Sequence, residues 1–382
     1  MIPYGRQDIT EADIEAVVTV LRSDLITQGP VVPQFERAVA DYCGASYGVA
    51  TSSATAALHV ACAALDLGPG DWLWTSPNTF VASANAARYC GAGVDFVDID
   101  PRTYNMSADA LAEKLAVAEH EAKLPRVVMP VHFAGQSCDM AAIRRLSERY
   151  GFRIIEDASH AIGGLYRDEP VGNCRYSDVA VFSFHPVKII TTGEGGMAVT
   201  NNAELAGRMG RLRSHGITRD PALMEGASDG PWDYQQIELG FHYRMTDIQA
   251  ALGLSQMQRL DEFVTKRQAI ARHYDEQLAS LPVMTPYQHP EQQSAYHLYP
   301  IQVRDTLTRQ LVFQYLRNAG IGVNVHYIPV YTQPDFQVFG FKLGHCPAAE
   351  AFYKHAISLP VYPCITEVQL DLVLRMIKKK LM

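Results

Sequence analysis

No stretch of this 382-residue chain approaches the ~20 consecutive apolar residues that a membrane-spanning helix needs, so a helical membrane protein is not expected. The opening residues, MIPYGRQDITEAD, carry no apolar block of the kind a secretory signal requires. Cysteine is sparse and odd in number (Cys43, Cys62, Cys90, Cys138, Cys174, Cys346 and Cys364), with no C-x-x-C pair. That argues against a disulfide framework and fits reduced thiols in a cytoplasm. Positive charge is not in excess either. Lys and Arg number 33 against 41 Asp and Glu, a net charge of −8, which speaks against nucleic acid or a membrane surface as partner through bulk attraction. A local pocket for an anionic small molecule stays open. No G-x-G-x-x-G lies between a strand and a helix, so a nicotinamide-dependent Rossmann enzyme lacks support. No His, Cys or carboxylate cluster has metal-ligand spacing, and no metal is expected.

What is present is core material. Hydrophobic residues make up 48%, ample for a large core, and at ~150 residues per domain the length suggests two or three domains. Thr10 and Asp13 open a first helix in capping-box fashion, followed by Ile14, Val17, Val18 and Leu21 at helical spacing. A loop, LITQGP, ends in the breakers Gly29 and Pro30. Strand-like and helix-like runs then alternate. Strands are expected at Tyr47 to Ala50, Trp72 to Ser76, Val94 to Val97, Val127 to Val131, Arg153 to Glu156, Asp178 to Phe184 and Met197 to Thr200. Helices are expected at Ala56 to Leu67, closed by Gly68, and at Met140 to Tyr150. Such alternation predicts an α/β fold, a mostly parallel sheet with helices on both faces, with ligands at the carboxyl ends of the strands. After Thr246 one long helical pattern runs to about Leu278, and the domain boundary is placed near residue 245. Beyond it, strands at Tyr296 to Val303 and Gly322 to His326, a helix at Leu307 to Ala319 and a last helix from about Thr366 make a smaller mixed unit.

Four features stand at expected strand ends. TSSAT, Thr51 to Thr55, offers small residues and hydroxyls where a helix begins, suited to an anion or simply to capping. EDASHA, Glu156 to Ala161, puts Asp157 after a buried strand, either in a structural ion pair or against a heterocyclic nitrogen whose protonated form it would favour. FSFHPVKIITTGEGG, Phe182 to Gly196, holds Ser183, His185 and Lys188. Pro186, Val187, Ile189 and Ile190 surround that lysine, and apolar surroundings depress an amine's pKa and make it nucleophilic. Gly195 and Gly196 permit close backbone approach or positive φ. Phe80 in SPNTF can stack on a flat ring or serve the core. Taken together these are the parts of a pyridoxal phosphate site, which needs the lysine and the ring-nitrogen partner at once. The histidines His132, His160, His185, His215, His297 and His326 read as site-lining or core.

Ordered motifs extend over nearly the whole chain: IPYGRQ, LITQGP, TSSAT, EDASHA, SFHPVK followed by GEGG, RSHG, YRMTDIQAALG, HLYPI, VHYIPVY and SLPVYP. On these the chain resembles the DegT/DnrJ/EryC1/StrS group of sugar aminotransferases, of fold type I among pyridoxal phosphate enzymes. The resemblance implies a large cofactor-binding domain, residues 1–245, and a linker helix with a small α+β C-terminal domain, residues 246–382. It implies that Lys188 holds pyridoxal 5'-phosphate as a Schiff base and acts as acid and base. Ser53, Ala54, Thr55 and Ser183 would hold the phosphate, Phe80 would stack on the ring, and Asp157 would meet its nitrogen. His160 stands where many relatives carry Gln and is counted with the cofactor's contacts. Tyr4, Asp24, Leu25, Ile26, Thr27, His185, Asn324, Val325, His326, Tyr327 and Ile328 would contact a nucleotide-sugar. Within the family the match is to the branch of pseudaminic acid synthesis. Its members transfer an amino group from L-glutamate to C4 of a UDP-linked 2-acetamido-2,6-dideoxy-4-keto-hexose. Another nucleotide-linked keto-sugar, such as a dTDP-keto-hexose or UDP-4-keto-arabinose, is the alternative. A regulator built on this fold would normally add a DNA-binding segment, and no basic extension of that kind is seen. Lys188 argues against the dehydratase branch, which carries histidine there. A homodimer with shared active sites is implied. One departure stands out: relatives read G-[YF]-N-[YF]-R, with the Asn reaching the phosphate across the dimer, and here His242 takes the Asn position between Phe241 and Tyr243.

Overall fold

A computed structural model describes residues 1–382. Its centre is a seven-stranded sheet built from β1 (Tyr47–Thr51), β2 (Trp72–Thr75), β3 (Gly93–Phe96), β4 (Val127–Met129), β5 (Arg153–Asp157), β6 (Val179–Ser183) and β7 (Gly196–Thr200). The spatial order is β1-β7-β6-β5-β4-β2-β3. The five strands from β3 to β6 are mutually parallel, and β7 runs antiparallel to both neighbours. The seven expected strands all form, each within about two residues of its expected ends.

The apolar runs are nearly continuous because both faces are covered. Leu73, Val127, Met129, Ile155, Val179, Val181 and Ala198 pack on one face against α3 (Ala54–Ala64), α4 (Ala82–Tyr89) and α7 (Ala203–Leu212). The alternate residues face the other way. Trp74, Val128 and Ile154 meet α5 (Ala108–His120) and α6 (Met140–Tyr150), while Ala180, Phe182, Met197 and Val199 meet α2 (Val31–Cys43). A separate cluster of 20 buried residues gathers Ile2 with residues from Ile270 to Ile377. There Tyr299–Val303 pairs antiparallel with Val283–Met284 and with Ala356–Leu359.

Three expectations need correction. The helix after TSSAT starts two residues early, at Ala54, and stops at Ala64. Asp66, with φ 57°, turns the chain before Gly68 is reached. The long pattern after Thr246 is two helices, α8 (Asp247–Met257) and α9 (Leu260–Leu278), because the chain breaks at Gln258–Arg259. Gly322 to His326 is not a strand. It makes only a single bridge, Asn324 to Ser358, since it leads into the site loop rather than along a sheet. The first helix forms as expected, as α1 (Glu11–Leu21), but its apolar stripe does not bury fully: Ile14 is 46% and Leu21 55% exposed.

The helix docks through Asp13 instead, whose side chain is fully buried. Its carboxylate accepts from Thr10 N in the expected capping box, from Ser255 Oγ at 2.7 Å, Gln256 Nε2 at 2.9 Å and Arg259 Nη2 at 2.7 Å. Burial works against the charge, but the Thr10 N–H, Ser255 and Arg259 outweigh it and hold the carboxyl below its usual range. A carboxylate with a depressed folded pKa contributes fully above the unfolded value of ~4 and loses that contribution as pH falls through the folded value. Asp13→Asn is therefore expected to lower stability by about 1.5–3 kcal/mol in neutral urea unfolding. The gap to wild type should close in acid, and a pH-independent gap would refute the charged role.

Candidate active site

The sheet register brings separated segments to one edge. β1 and β6 both flank β7 antiparallel, so their carboxyl ends, Thr51 and Ser183, lie together at the start of β7, and each is paired with Gly196. β5 runs parallel to β6 and ends there in Asp157, and β2 delivers the Ser76 to Phe80 turn at the same edge. Gly196 shows why glycine stands at this point. A Cβ there would lie 2.5 Å from Ser53 O and Ala54 N, so only glycine lets β7 start against the TSSAT turn. At Gly195 the reason is again close approach, to Thr192 and Met245. Positive φ belongs to Gly193.

Ser53 caps α3, its hydroxyl accepting from Ala56 N at 3.2 Å, with Ala54 and Thr55 opening the first turn. The first-turn N–H groups of a helix have no partner within it and carry partial positive charge. Thr51 Oγ1 donates to Ser53 O, and Ser52 N donates to Tyr243 O, which fixes the turn from both sides. Ser183 is buried and its hydroxyl lies 3.5 Å from His185 N.

Successive residues of a strand face opposite ways, which separates the two adjacent carboxylates of EDASHA. Glu156 turns inward to a 2.6 Å pair with buried His132 and accepts from Ser177 Oγ. Burial opposes charge on His132, but Cys138 and Glu156 raise its pKa to about 10. Asp157 turns to the site. It accepts from Ser83 Oγ at 2.6 Å and Ser159 Oγ at 2.6 Å. Ser83 N donates to Phe80 O at 3.3 Å, placing 61%-exposed Phe80 beside Asp157.

Lys188 is the one cationic side chain in this group. Burial lowers its pKa to about 8, and Asp157 partly opposes the shift. Three buried imidazoles surround it, His160, His297 and His326. For all three, burial is the first cause of a lowered pKa and the Lys188 charge the second, with His326 brought down to about 3. His160 Nδ1 accepts from Ala134 N, so its proton sits on Nε2, facing Tyr327 Oη at 3.3 Å. His326 is held by Ser358 and Asn324, and Tyr4 packs its ring 5.2 Å from it. Val325 and Ile328 flank this loop, which Asn78 anchors by accepting from Tyr327 N.

Not every expected site residue joins this group. Asp24, Leu25, Ile26 and Thr27 are exposed on a segment tied to Thr246 and Asp247, with no hydrogen bond to Lys188, Asp157 or the three histidines. His185 is exposed, 4.0 Å from Glu194. His242 is exposed too and meets the ring of His215, although its neighbour Tyr243 touches the TSSAT turn. Conversely, Ser83, Asn78 and the His132–Glu156 pair escaped the sequence reading. A lone serine or asparagine after a strand carries no local signal of the carboxylate or loop it will meet. No group of three or more His, Cys, Asp or Glu side chains is arranged to hold a metal.

A depressed lysine facing a buried carboxylate, beside a helix N-terminus at the carboxyl edge of a mostly parallel sheet, defines a lysine-dependent α/β enzyme. The chain belongs to the DegT/DnrJ/EryC1/StrS aminotransferase family, which it matches over residues 7–378. It is 37% identical to the UDP-4-amino-4,6-dideoxy-N-acetyl-beta-L-altrosamine transaminase of Campylobacter jejuni, over 95% of this chain and 93% of that protein. Among solved structures, the PMP form of Spr1654 from Streptococcus pneumoniae superposes with a TM-score of 0.91 at 31% identity, covering 100% of this chain and 99% of that one. Helicobacter pylori PseC, an aminotransferase of pseudaminic acid biosynthesis, gives 0.90 at 28% identity with the same coverage.

Two measurements test the geometry. In competitive acylation of the apoprotein, Lys188 should titrate near 8, and lower still in Asp157→Asn, which removes the opposing charge. Titration together with the exposed lysines near ~10.4 would contradict the site. Gly196→Ala should lose about 1–3 kcal/mol in thermal unfolding, because the new methyl overlaps the Ser53–Ala54 backbone.

Proposed function

We propose that this chain is a pyridoxal-phosphate-dependent transaminase of nucleotide-sugars. Its reaction moves the amino group of L-glutamate to C4 of a UDP-linked 2-acetamido-2,6-dideoxy-4-keto-hexose, giving UDP-4-amino-4,6-dideoxy-N-acetyl-beta-L-altrosamine for pseudaminic acid synthesis. The observation that carries the reading is Lys188, lowered to about 8 and facing Asp157. The residues suit the cofactor. The Gly196 notch leaves the Ser53–Ala54 backbone clear for a phosphate, and His297 Nδ1 beside Lys188 is buried with no partner in the protein.

Ser53, Ala54, Thr55 and Ser183 would hold the phosphate, Phe80 would cover the ring, and Asp157 would keep the ring nitrogen protonated, with His160 on the same wall. When bound, the cofactor supplies an electron sink for charge developing at the amino-bearing carbon. Lys188 Nζ takes the proton from the α carbon of glutamate and in the second half-reaction delivers one to C4 of the sugar. An amine with a pKa near 8 does both at neutral pH. The histidines beside it stay neutral, so they orient polar groups without adding charge. Tyr4, Asn324, Val325, His326, Tyr327 and Ile328 form the sugar side of the site, with His185 at its exposed rim.

The reading extends to a homodimer with shared sites in the cytoplasm. Exposed Ile14, Leu21, Leu25 and Ile26 supply an apolar face for a second copy. Asp24 to Thr27 and His242, which stand apart from Lys188 in one chain, then serve the partner's site, His242 donating to the phosphate in place of the family Asn. Residues 1–245 are taken as the cofactor-binding unit and 246–382 as linker and small unit. No helix is long and apolar enough to cross a membrane.

Amination of another nucleotide-linked keto-sugar is the second reading. Spr1654, a putative sugar aminotransferase, matches this chain in fold as well as PseC does and at higher identity. Glutamate with a panel of UDP- and dTDP-linked keto-sugars separates the two, read by product mass and by NMR of the new amine's configuration. The UDP-linked 4-keto-hexose should be preferred by about tenfold or more. Amination of dTDP sugars alone would leave the second reading. Lys188→Ala should lose about 10³-fold or more in turnover. Borohydride reduction of wild type should fix the cofactor on the peptide containing Lys188, and full activity in the variant would sink the assignment.

A further inference from the structure

Asp157 is held differently from the buried carboxylates Asp13 and Glu156. Asp13 accepts from the guanidinium of Arg259, and Glu156 is paired with the charged imidazole of His132. No cation hydrogen-bonds to Asp157. Its donors are neutral: Ser83 Oγ reaches Oδ2 at 2.6 Å, and Oδ1 accepts from Ser159 Oγ at 2.6 Å and Ser159 N at 3.2 Å. Behind Ser83 lies Thr79, whose Oγ1 is 2.8 Å from Ser83 Oγ. Both are buried, where α4 begins. An ionised carboxylate can only accept, so the one hydroxyl proton of Ser83 goes to Asp157, and Thr79 donates to Ser83. A directed chain thus runs from Thr79 through Ser83 to Asp157.

We propose that Ser83, backed by Thr79, is a positioning residue that fixes the plane of the Asp157 carboxylate and keeps the shared proton on the cofactor's ring nitrogen. The inference rests on the reading that Asp157 meets that nitrogen. The main chain of Asp157 is already tied, its N–H to Pro130 O at 2.9 Å and its carbonyl to His132 N at 3.1 Å. The terminal torsion of an aspartate is broad, however, so donors on the carboxylate itself must set its plane. Ser83 and Ser159 grip one oxygen each.

An ionised carboxylate offers about four acceptor sites, and the two serines fill three of them. The remaining one is on Oδ2, the oxygen that Ser83 holds. Hydrogen bonds to the charged form of a carboxylate make it a poorer proton acceptor. In a pair that shares one proton, Ser83 therefore leaves the proton with the nitrogen. A cation at the same place would do this too, but it would cancel the negative charge that a protonated ring has to meet. Neutral hydroxyls leave that charge in place. Thr79 polarises Ser83 and strengthens its bond to Asp157.

The test loads the full chain with pyridoxal phosphate isotopically labelled at the ring nitrogen and reads that nitrogen by NMR. Wild type should show it protonated and Asp157→Asn unprotonated, which sets the scale. Ser83→Ala should fall part-way along that scale, with cofactor affinity lower by about tenfold. Thr79→Val keeps the shape of the side chain without its hydroxyl, and should move the signal the same way by less. The signal comes only from folded protein that has bound the cofactor, so a plain loss of stability does not move it. The inference is overturned if either variant keeps the wild-type signal, or if the wild-type nitrogen is itself unprotonated. Borohydride fixation on Lys188 of wild type separates the two failures. Fixation with unmoved variants sinks the role of Ser83 alone, and no fixation sinks the cofactor reading and this inference with it.

Discussion

The close passage of Gly196 against Ser53 and Ala54 is the constraint on which the site depends. Because no side chain intervenes, β7 can begin within van der Waals reach of the turn that opens α3. The pairing of Gly196 with both Thr51 and Ser183 then sets the register of three strands at once. The Lys188 loop leaves β6 at Ser183 and returns at Gly196, so both its ends are tied to the helix N-terminus. The turn that opens α3 and the amine are positioned by one contact. A register slip of one residue would turn every side chain of β7 to the opposite face of a sheet that is buried on both sides.

The second organising feature is electrostatic. The charge of Asp157 acts on Lys188 among imidazoles that burial and the amine's own charge keep neutral. Glu156 is turned away by the alternation of β5 and paired with His132, and buried Arg267 donates to the Tyr296, His297 and Val361 carbonyls. Such a site distinguishes the protonated from the neutral amine more sharply than water does.

The strands and their contribution to the site were legible because each apolar run had to bury both faces, a demand visible in composition alone. Lys188 and Asp157 were legible for the same reason, as polar residues at the ends of such runs. The partners Ser83, Asn78 and His132 were not, since each contact joins segments between 24 and 249 residues apart. The docking face of α1 was not legible for a related cause. Its apolar spacing is regular, yet the buried contact is an ionic network around Asp13 that local periodicity does not encode.

The sequence by itself determined the α/β class, the lysine, its carboxylate and the turn at the start of α3, because each is a local pattern of residue types with one dominant physical use. Tertiary structure alone decided that these meet at one sheet edge, that three histidines stay uncharged around the amine, and that Asp24 to Thr27 and His242 stand apart from it within a single chain. Those outcomes depend on strand order and on desolvation, and both are properties of the folded assembly of segments rather than of any one of them.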